Sequence, residues 1–301
     1  MSAPHVAVIG NVNVDMVMGP QAPWPEPGTE VVLPEYELRP GGSAGNAALA
    51  LQALGVPVLL LANAGDDLLG RWLKDSFGNA AHHWRPAARP TTVSVGITHP
   101  NGERTFFTNE GHLEALGPDD VLRHLPEDVA DGSVALLCGA FLSPPLVAAF
   151  GEILDALRAA NYRIALDTGW PPEGWTGAVR RHVIGWLGAT DFLLLNEREA
   201  LALAGTADLE KSVASIRPLM PERATLVVKR GGDGAAGWQR SETAAVPAPR
   251  IKVADSIGAG DVFNAGFLAA GMRGAALGEA LRAGVEFASA VIATRPRRYR
   301  V

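Results

Sequence analysis

The residues best equipped for chemistry form one stretch, Asp255-Ser256-Ile257-Gly258-Ala259-Gly260-Asp261, followed by Val262, Phe263, Phe267 and Leu268 at helical spacing. That periodicity predicts a helix with Asp261 in its first turn. The first N–H groups of a helix lack intrahelical acceptors and carry the positive end of its dipole. Gly258, Ala259 and Gly260 would therefore form an anion cradle. Asp261 would stand beside it as a base. A phosphoryl group in transfer needs both: donors where its charge spreads, and a carboxylate to take the proton of the attacking hydroxyl. Taken alone, the stretch reads more simply as a glycine-rich loop before a packed helix.

A second glycine-rich helix start lies far upstream, at Gly41-Gly42-Ser43-Ala44-Gly45-Asn46, before an Ala-rich helix over 47–54 that Gly55 ends. Its glycines let a ligand approach the backbone closely, and Asn46 can donate to and accept from a polyol. Residues 11–18 alternate polar with apolar, which places Asn13 and Asp15 on one face. That face is either solvent-exposed or, at the end of the first strand, a place for sugar hydroxyls. Asn196 and Glu199 share one side of a helix start, the spacing of a capping box.

Two nucleotide-binding patterns fail on context. Residues 65–72 have P-loop glycine spacing but lack its Lys and Ser/Thr, and Asp66 and Asp67 would repel phosphate. Gly232, Gly234 and Gly237 satisfy a dinucleotide fingerprint, with Asp255 about 20 residues on. However, Trp238-Gln239-Arg240-Ser241 and the prolines at 247 and 249 predict an edge hairpin there rather than a helix.

Short apolar runs at 5–10, 57–64, 133–138, 162–166, 191–195 and 224–229 predict strands. Helical patterns around 144–160, 176–187 and from Leu277 to about Arg295 alternate with the later ones. This rhythm predicts an α/β fold, a mostly parallel sheet covered by helices on both faces. An exposed strand is expected over 29–38, ended by Arg39-Pro40. A hairpin is expected over 91–98 and 103–108 around an Asn101-Gly102 turn. Insertions of about 12–38 and 91–110 would together make a small β-sheet lid on a single domain spanning 1–301.

The chain has 301 residues, 48% hydrophobic and 19% charged, enough to bury a large core. A formal charge of −6 argues against a nucleic-acid partner. The basic run Arg295-Pro296-Arg297-Arg298-Tyr299-Arg300 reads as a solvated tail. No apolar run reaches the roughly 20 residues of a membrane span, and no secretory signal is expected. The single cysteine, Cys138, belongs to an apolar strand; with no intramolecular disulfide possible, a cytoplasmic location is expected.

The motifs D-x-x-G-A-G-D, at Asp255 to Asp261, and G-G-x-x-x-N, at Gly41 to Asn46, resemble the two signatures of the ribokinase-like sugar kinases, the pfkB family. Asp15, the N-x-x-E at Asn196 to Glu199 and the K-x-G-x-x-G at Lys229 to Gly234 fall in that family's order over nearly the whole chain. The resemblance implies a ribokinase-like fold and transfer of the γ-phosphoryl group of ATP, with Mg²⁺, to a hydroxyl, usually primary, of a sugar. It makes Asp261 the base and Gly258, Ala259 and Gly260 the anion hole. Asn13, Asp15, Gly41, Gly42 and Asn46 go to the acceptor. Asn196 and Glu199 go to phosphates and the Mg²⁺ hydration shell, and Lys229 and Gly231 to the nucleotide side. It also implies a homodimer paired through the lid.

Two departures qualify the resemblance. Monovalent-cation-activated members carry a Gly-Ala pair and a Ser after the last helix. Residues 295–300 do not, which leaves K⁺ activation through that loop undecided, although Asp255 and Ile257 can supply part of such a site. The segment 134–142 has Phe141 where ribokinase proper offers ribose an acid, which argues against ribose. A nucleoside kinase is the alternative enzyme; Trp24, Phe106 and Phe107 would either stack on a base or pack the lid's inner face. A catalytically silent sugar sensor is the alternative outside enzymes, but neither the base nor the anion-hole glycines are lost.

Overall fold

The computed structural model describes residues 3–100 and 104–299. The chain begins with β1 (Val6–Gly10), β2 (Asn13–Met18), β3 (Tyr36–Gly41), α1 (Ser43–Ala53) and β4 (Val58–Leu61). The two-residue strand β5 (Ala64–Gly65), α2 (Leu68–Phe77), the two-residue strand β6 (Pro86–Ala87), β7 (Val93–Thr98) and β8 (Arg104–Thr108) follow. Next come α3 (Pro118–Leu122), β9 (Val134–Cys138), α4 (Pro144–Ala148), α5 (Phe150–Ala159), β10 (Arg163–Asp167) and α6 (Gly177–Leu187). The last part holds β11 (Phe192–Asn196), α7 (Glu197–Ala204), α8 (Leu209–Ile216), β12 (Thr225–Lys229), the hairpin β13 (Ala235–Gln239) and β14 (Glu242–Val246), α9 (Ala259–Met272) and α10 (Leu277–Ile292).

Eight strands form the main sheet in the order β14-β13-β12-β11-β10-β9-β1-β4. The sheet is parallel from β4 to β12, and the terminal hairpin is antiparallel. The run Val6-Ala7-Val8-Ile9 shows why both faces must be covered: all four side chains are fully buried. Val6 and Val8 join Leu51 of α1, Phe267 of α9 and Leu281 of α10. Ala7 and Ile9 point the other way, to Ile153 of α5, Leu187 of α6 and Ile216 of α8. The predicted edge hairpin is present as β13 and β14, so the dinucleotide fingerprint opens no helix. The rejected P-loop is an N-cap: Asp67 Oδ1 accepts from the Gly70 N–H at 2.7 Å.

The second sheet, β3-β2-β7-β8, is the expected lid. Its second strand is displaced from expectation. Residues 29–35 form no strand, interrupted by Pro34, and β3 starts at Tyr36 and runs through Pro40 to Gly41. An edge strand tolerates a proline, because one side of its ladder is unpaired. The tip of the hairpin, Asn101 and Gly102, lies outside the described residues. Helix α1 also begins earlier than expected, at Ser43, which puts Asn46 in its first turn. Gly42 permits the sharp entry: its φ is +82°, and a Cβ there would lie 2.4 Å from Asn11 O.

Candidate active site

Asn11, Gly139, Asp167, Asn196 and Lys229 sit at or just beyond the C-terminal ends of parallel strands, the rim where open α/β sheets hold ligands. Two cavities open there. One, about 830 Å³, is lined by Asn196, Glu199, Lys229, Gly231, Ala259 and Gly260, with an apolar side including Ile251 and Val285. The other, about 230 Å³, lies under the lid against Asn13, Asp15, Gly42, Asn46, Ser94 and Phe106. Gly258 and Asp261 line both. Gly41 lines neither. Its missing side chain makes room for Asp15, whose Cγ lies 2.2 Å from where a Cβ would stand.

Helix α9 starts just after Gly258, whose φ of +68° turns the chain into it. The Ala259 N–H turns back to Ser256 O at 3.3 Å. Among the described residues, the Gly258 and Gly260 N–H groups have no main-chain partner. Beside them stands the Asp261 carboxyl, its pKa pushed up to about 8 by burial first and then by the nearby Asp167 charge. Three groups work against that rise: the Asn46 amide, Lys229 and Arg297. Asn46 donates from Nδ2 to Asp261 Oδ2 at 3.0 Å.

The residues of the larger cavity form a second charged group. Asn196 and Glu199 close the capping box at the start of α7, with bonds of 2.8 Å from the Asn196 N–H and 2.9 Å from the Glu199 N–H. Burial, and then the charge of Asp167, raise the Glu199 pKa. Lys229 Nζ donates to Asp167 Oδ2 at 2.6 Å and to Asn264 Oδ1 at 3.2 Å. Burial opposes its charge, but Asp167 and Glu199 outweigh that and leave its pKa raised. Lys229 lies directly beneath the start of α9, with Nζ 3.3 Å from where a Gly260 Cβ would stand.

Asp167 and Asn264 were not among the residues singled out from the sequence. Asp167 had a signal that went unused: it ends a buried parallel strand at the ligand rim. In the lid, Asn13 Nδ2 donates to Asp15 Oδ1 at 2.7 Å, so these two face the cavity and not solvent. Burial raises the Asp15 pKa against the pull of Arg39 and Asn13.

Asp255 lines neither cavity, and its carboxylate receives Arg39 Nη1 of β3 at 2.5 Å and Arg297 Nη2 at 2.9 Å. Although burial works the other way, these two arginines and the Ile257 N–H hold its pKa down. The basic run after α10 is thus not wholly a solvated tail: Arg295 and Arg298 are exposed, but the Arg297 side chain is only 3% exposed. Phe141 does not line the smaller cavity. It packs at 6.0 Å from Trp186, and Leu142 lines the cavity instead. Of the three lid aromatics, Phe106 lies on the inner face over Gly96, while Phe107 faces away and pairs with Trp24 at 5.9 Å.

Residues 3–297 match the pfkB family carbohydrate kinases. A fructokinase of Rhizobium leguminosarum bv. trifolii is 30% identical over 238 residues, 76% of this chain and 70% of the relative. A 2-dehydro-3-deoxygluconokinase of Escherichia coli is 29% identical over 209 residues, 66% of this chain and 67% of the relative. The structure of adenosine kinase from Sinorhizobium meliloti superposes with a TM-score of 0.81 at 24% identity, over 99% of this chain and 96% of the other. Arabidopsis thaliana ribokinase complexed with ribose and ATP gives 0.74 at 24% identity, over 98% and 94%. Those structural likenesses carry the ribokinase-like fold, and the family match carries the chemistry: this chain belongs to the pfkB family of carbohydrate kinases, phosphotransferases with an alcohol acceptor.

Proposed function

We propose that this kinase transfers the γ-phosphoryl group of Mg-ATP to a hydroxyl, primary in our reading, of a small carbohydrate. The observation that carries the reading is the place of Asp261, on the wall shared by the two cavities and beside the Gly258 and Gly260 N–H groups, which have no main-chain partner among the described residues. ATP occupies the larger cavity, its base against the apolar side. The sugar occupies the smaller one, held by Asn13, Asp15, Gly42 and Asn46. As the acceptor oxygen bonds to the γ-phosphorus, its proton passes to Asp261 and the bond to ADP breaks. Charge on the transferring group meets the Gly258–Gly260 turn and the helix dipole. Asn196, Glu199 and Asp167 offer the oxygen donors that a partly hydrated Mg²⁺ takes, and the ion would neutralise phosphate charge. Lys229 holds the acids beneath the turn, and Gly231 borders the nucleotide.

A nucleoside acceptor is less well supported, because among the described residues Phe106 is the one lid aromatic lining the acceptor cavity. The lid's outer face supports a homodimer. Met16, Met18, Leu38, Tyr36, Val95 and Phe107 share it by register, and each is exposed or half-exposed. A second copy of this face covers it, and light scattering would then read twice the chain mass. The chain works as one domain with its lid, in the reducing cytoplasm. Among the described residues no helix is long and apolar enough to cross a membrane.

The deciding experiment is ADP release from Mg-ATP across hexoses, pentoses, keto-deoxy acids and nucleosides. Turnover confined to one sugar class is expected. Turnover on nucleosides alone would replace the acceptor. If sugars raise the melting temperature without turnover, the protein is a sensor.

A further inference from the structure

The segment after α10 folds back over the start of α9. Arg297 Nη2 donates to Asp255 Oδ2 at 2.9 Å and also to the Ile257 carbonyl. Its Nη1 lies 3.4 Å from Asn46 Oδ1, and the Tyr299 hydroxyl donates to that same oxygen at 3.2 Å. The Arg297 N–H reaches Glu37 Oε1 of β3 at 3.4 Å. One side chain thus touches the turn before the anion hole and the asparagine that holds the base, while its backbone reaches the lid.

Three consequences follow from this geometry. First, two donors on Asn46 Oδ1 fix which way its amide faces, so Nδ2 must point at Asp261. Second, the Ile257 carbonyl immediately precedes Gly258; anchoring it anchors the direction of the N–H groups that follow. Third, a carboxylate and a main-chain carbonyl converging on one point are the oxygen donors a hard cation takes. Here a guanidinium occupies that point. Its charge lies close to the cradle too, with Nη1 3.2 Å from where a Gly258 Cβ would stand.

We propose that Arg297 is a positioning residue of the phosphoryl-transfer site and its built-in cation, doing with a tethered guanidinium what a dissociable monovalent cation would do between Asp255 and Ile257. Turnover therefore needs no added K⁺. This rests on the kinase reading, and the test separates the two.

Turnover is measured in potassium, sodium or tetramethylammonium chloride at equal ionic strength. Wild-type rates are expected to agree within about two-fold, whereas Arg297→Ala loses about ten-fold or more, the cost of a slightly misplaced site. Millimolar K⁺ or guanidinium should restore part of that loss; tetramethylammonium, too large for the gap, should not. Strong K⁺ stimulation of the wild type, full activity of Arg297→Ala, or a defect that no small cation relieves would each overturn the proposal. If Arg297→Ala fails to fold, the wild-type comparison still decides. If the wild type turns over no acceptor in any salt, the kinase reading fails instead. Melting temperatures then test Arg297 alone: K⁺ should raise that of Arg297→Ala over tetramethylammonium and leave the wild type unchanged. An equal response would overturn the proposal.

Discussion

Asn46 and Asp261 are 215 residues apart in sequence and 3.0 Å apart in the fold, with the amide donating to the carboxylate. The bond joins the first turns of α1 and α9, the two glycine-rich helix starts. Its effect is electrostatic: a donor aimed at a carboxylate favours the ionised form that can accept a proton. Burial and Asp167 push the other way and leave the group at about 8. A base poised near the working pH is what proton transfer favours.

Asp261→Asn should lower turnover by about 10²–10⁴-fold while acceptor binding changes little, because the role we propose for Asp261 belongs to the transition state. The same variant should be more heat-stable than the wild type. The folded pKa, about 8, lies above the ordinary aspartate value of 3.8. The folded state therefore holds a proton that the unfolded chain releases as pH rises through that window, and wild-type stability falls across it. Melting curves should show the gain of Asp261→Asn growing from about pH 4 to pH 8 and levelling beyond. A gain independent of pH would rule out this origin.

Removing the donor tests the other half of the pair. Asn46→Ala should move the alkaline-rising limb of the kcat/KM profile to higher pH, since Asp261 loses a bond that favours its ionised form. An unshifted limb with reduced rate would mean that Asn46 serves the acceptor alone.

What could be read in the sequence depended on how local the cause was. The start of α9 with Asp261 in its first turn is set by residues adjacent in the chain, and the capping box of Asn196 and Glu199 by residues three apart, so both were legible. The start of α1 was misplaced because Gly42 can take a positive φ, which lets a helix follow a strand with almost no loop. Asp167 was legible only as the end of a buried strand at the rim; its contact with Lys229, from another strand of the sheet, is one that no periodicity announces. Arg297 was misread for a related reason. A basic run after the last helix suggests solvation, and only the fold brings it to Asp255 and Asn46.

The Lys229–Asp167 pair predicts a non-additive stability cycle. The two side chains are 11% and 8% exposed. Lys229→Met strands a buried carboxylate beside Glu199 and Asp261, and should cost about 3 kcal/mol or more. Adding Asp167→Asn removes the stranded charge, so the double variant should unfold in urea at a higher concentration than Lys229→Met alone. Simple additivity would show that water screens the pair.

Two glycines with nearly the same φ but different neighbours separate strain from function. Gly258 has φ +68° and Gly55 has φ +72°. An alanine at either position costs about 1 kcal/mol for the left-handed conformation. At Gly55, just past α1, nothing lies within 4 Å of the added Cβ, whereas at Gly258 the Cβ would meet Asn46 Nδ2 at 2.6 Å. Both variants should melt lower than the wild type, Gly258→Ala the more so. Only Gly258→Ala should lose turnover, by about 10²-fold, because pushing Asn46 aside moves both Asp261 and the start of α9 that our reading places at the reacting phosphate. Equal turnover in the two variants would show that the Asn46–Asp261 contact can yield without harm to the chemistry.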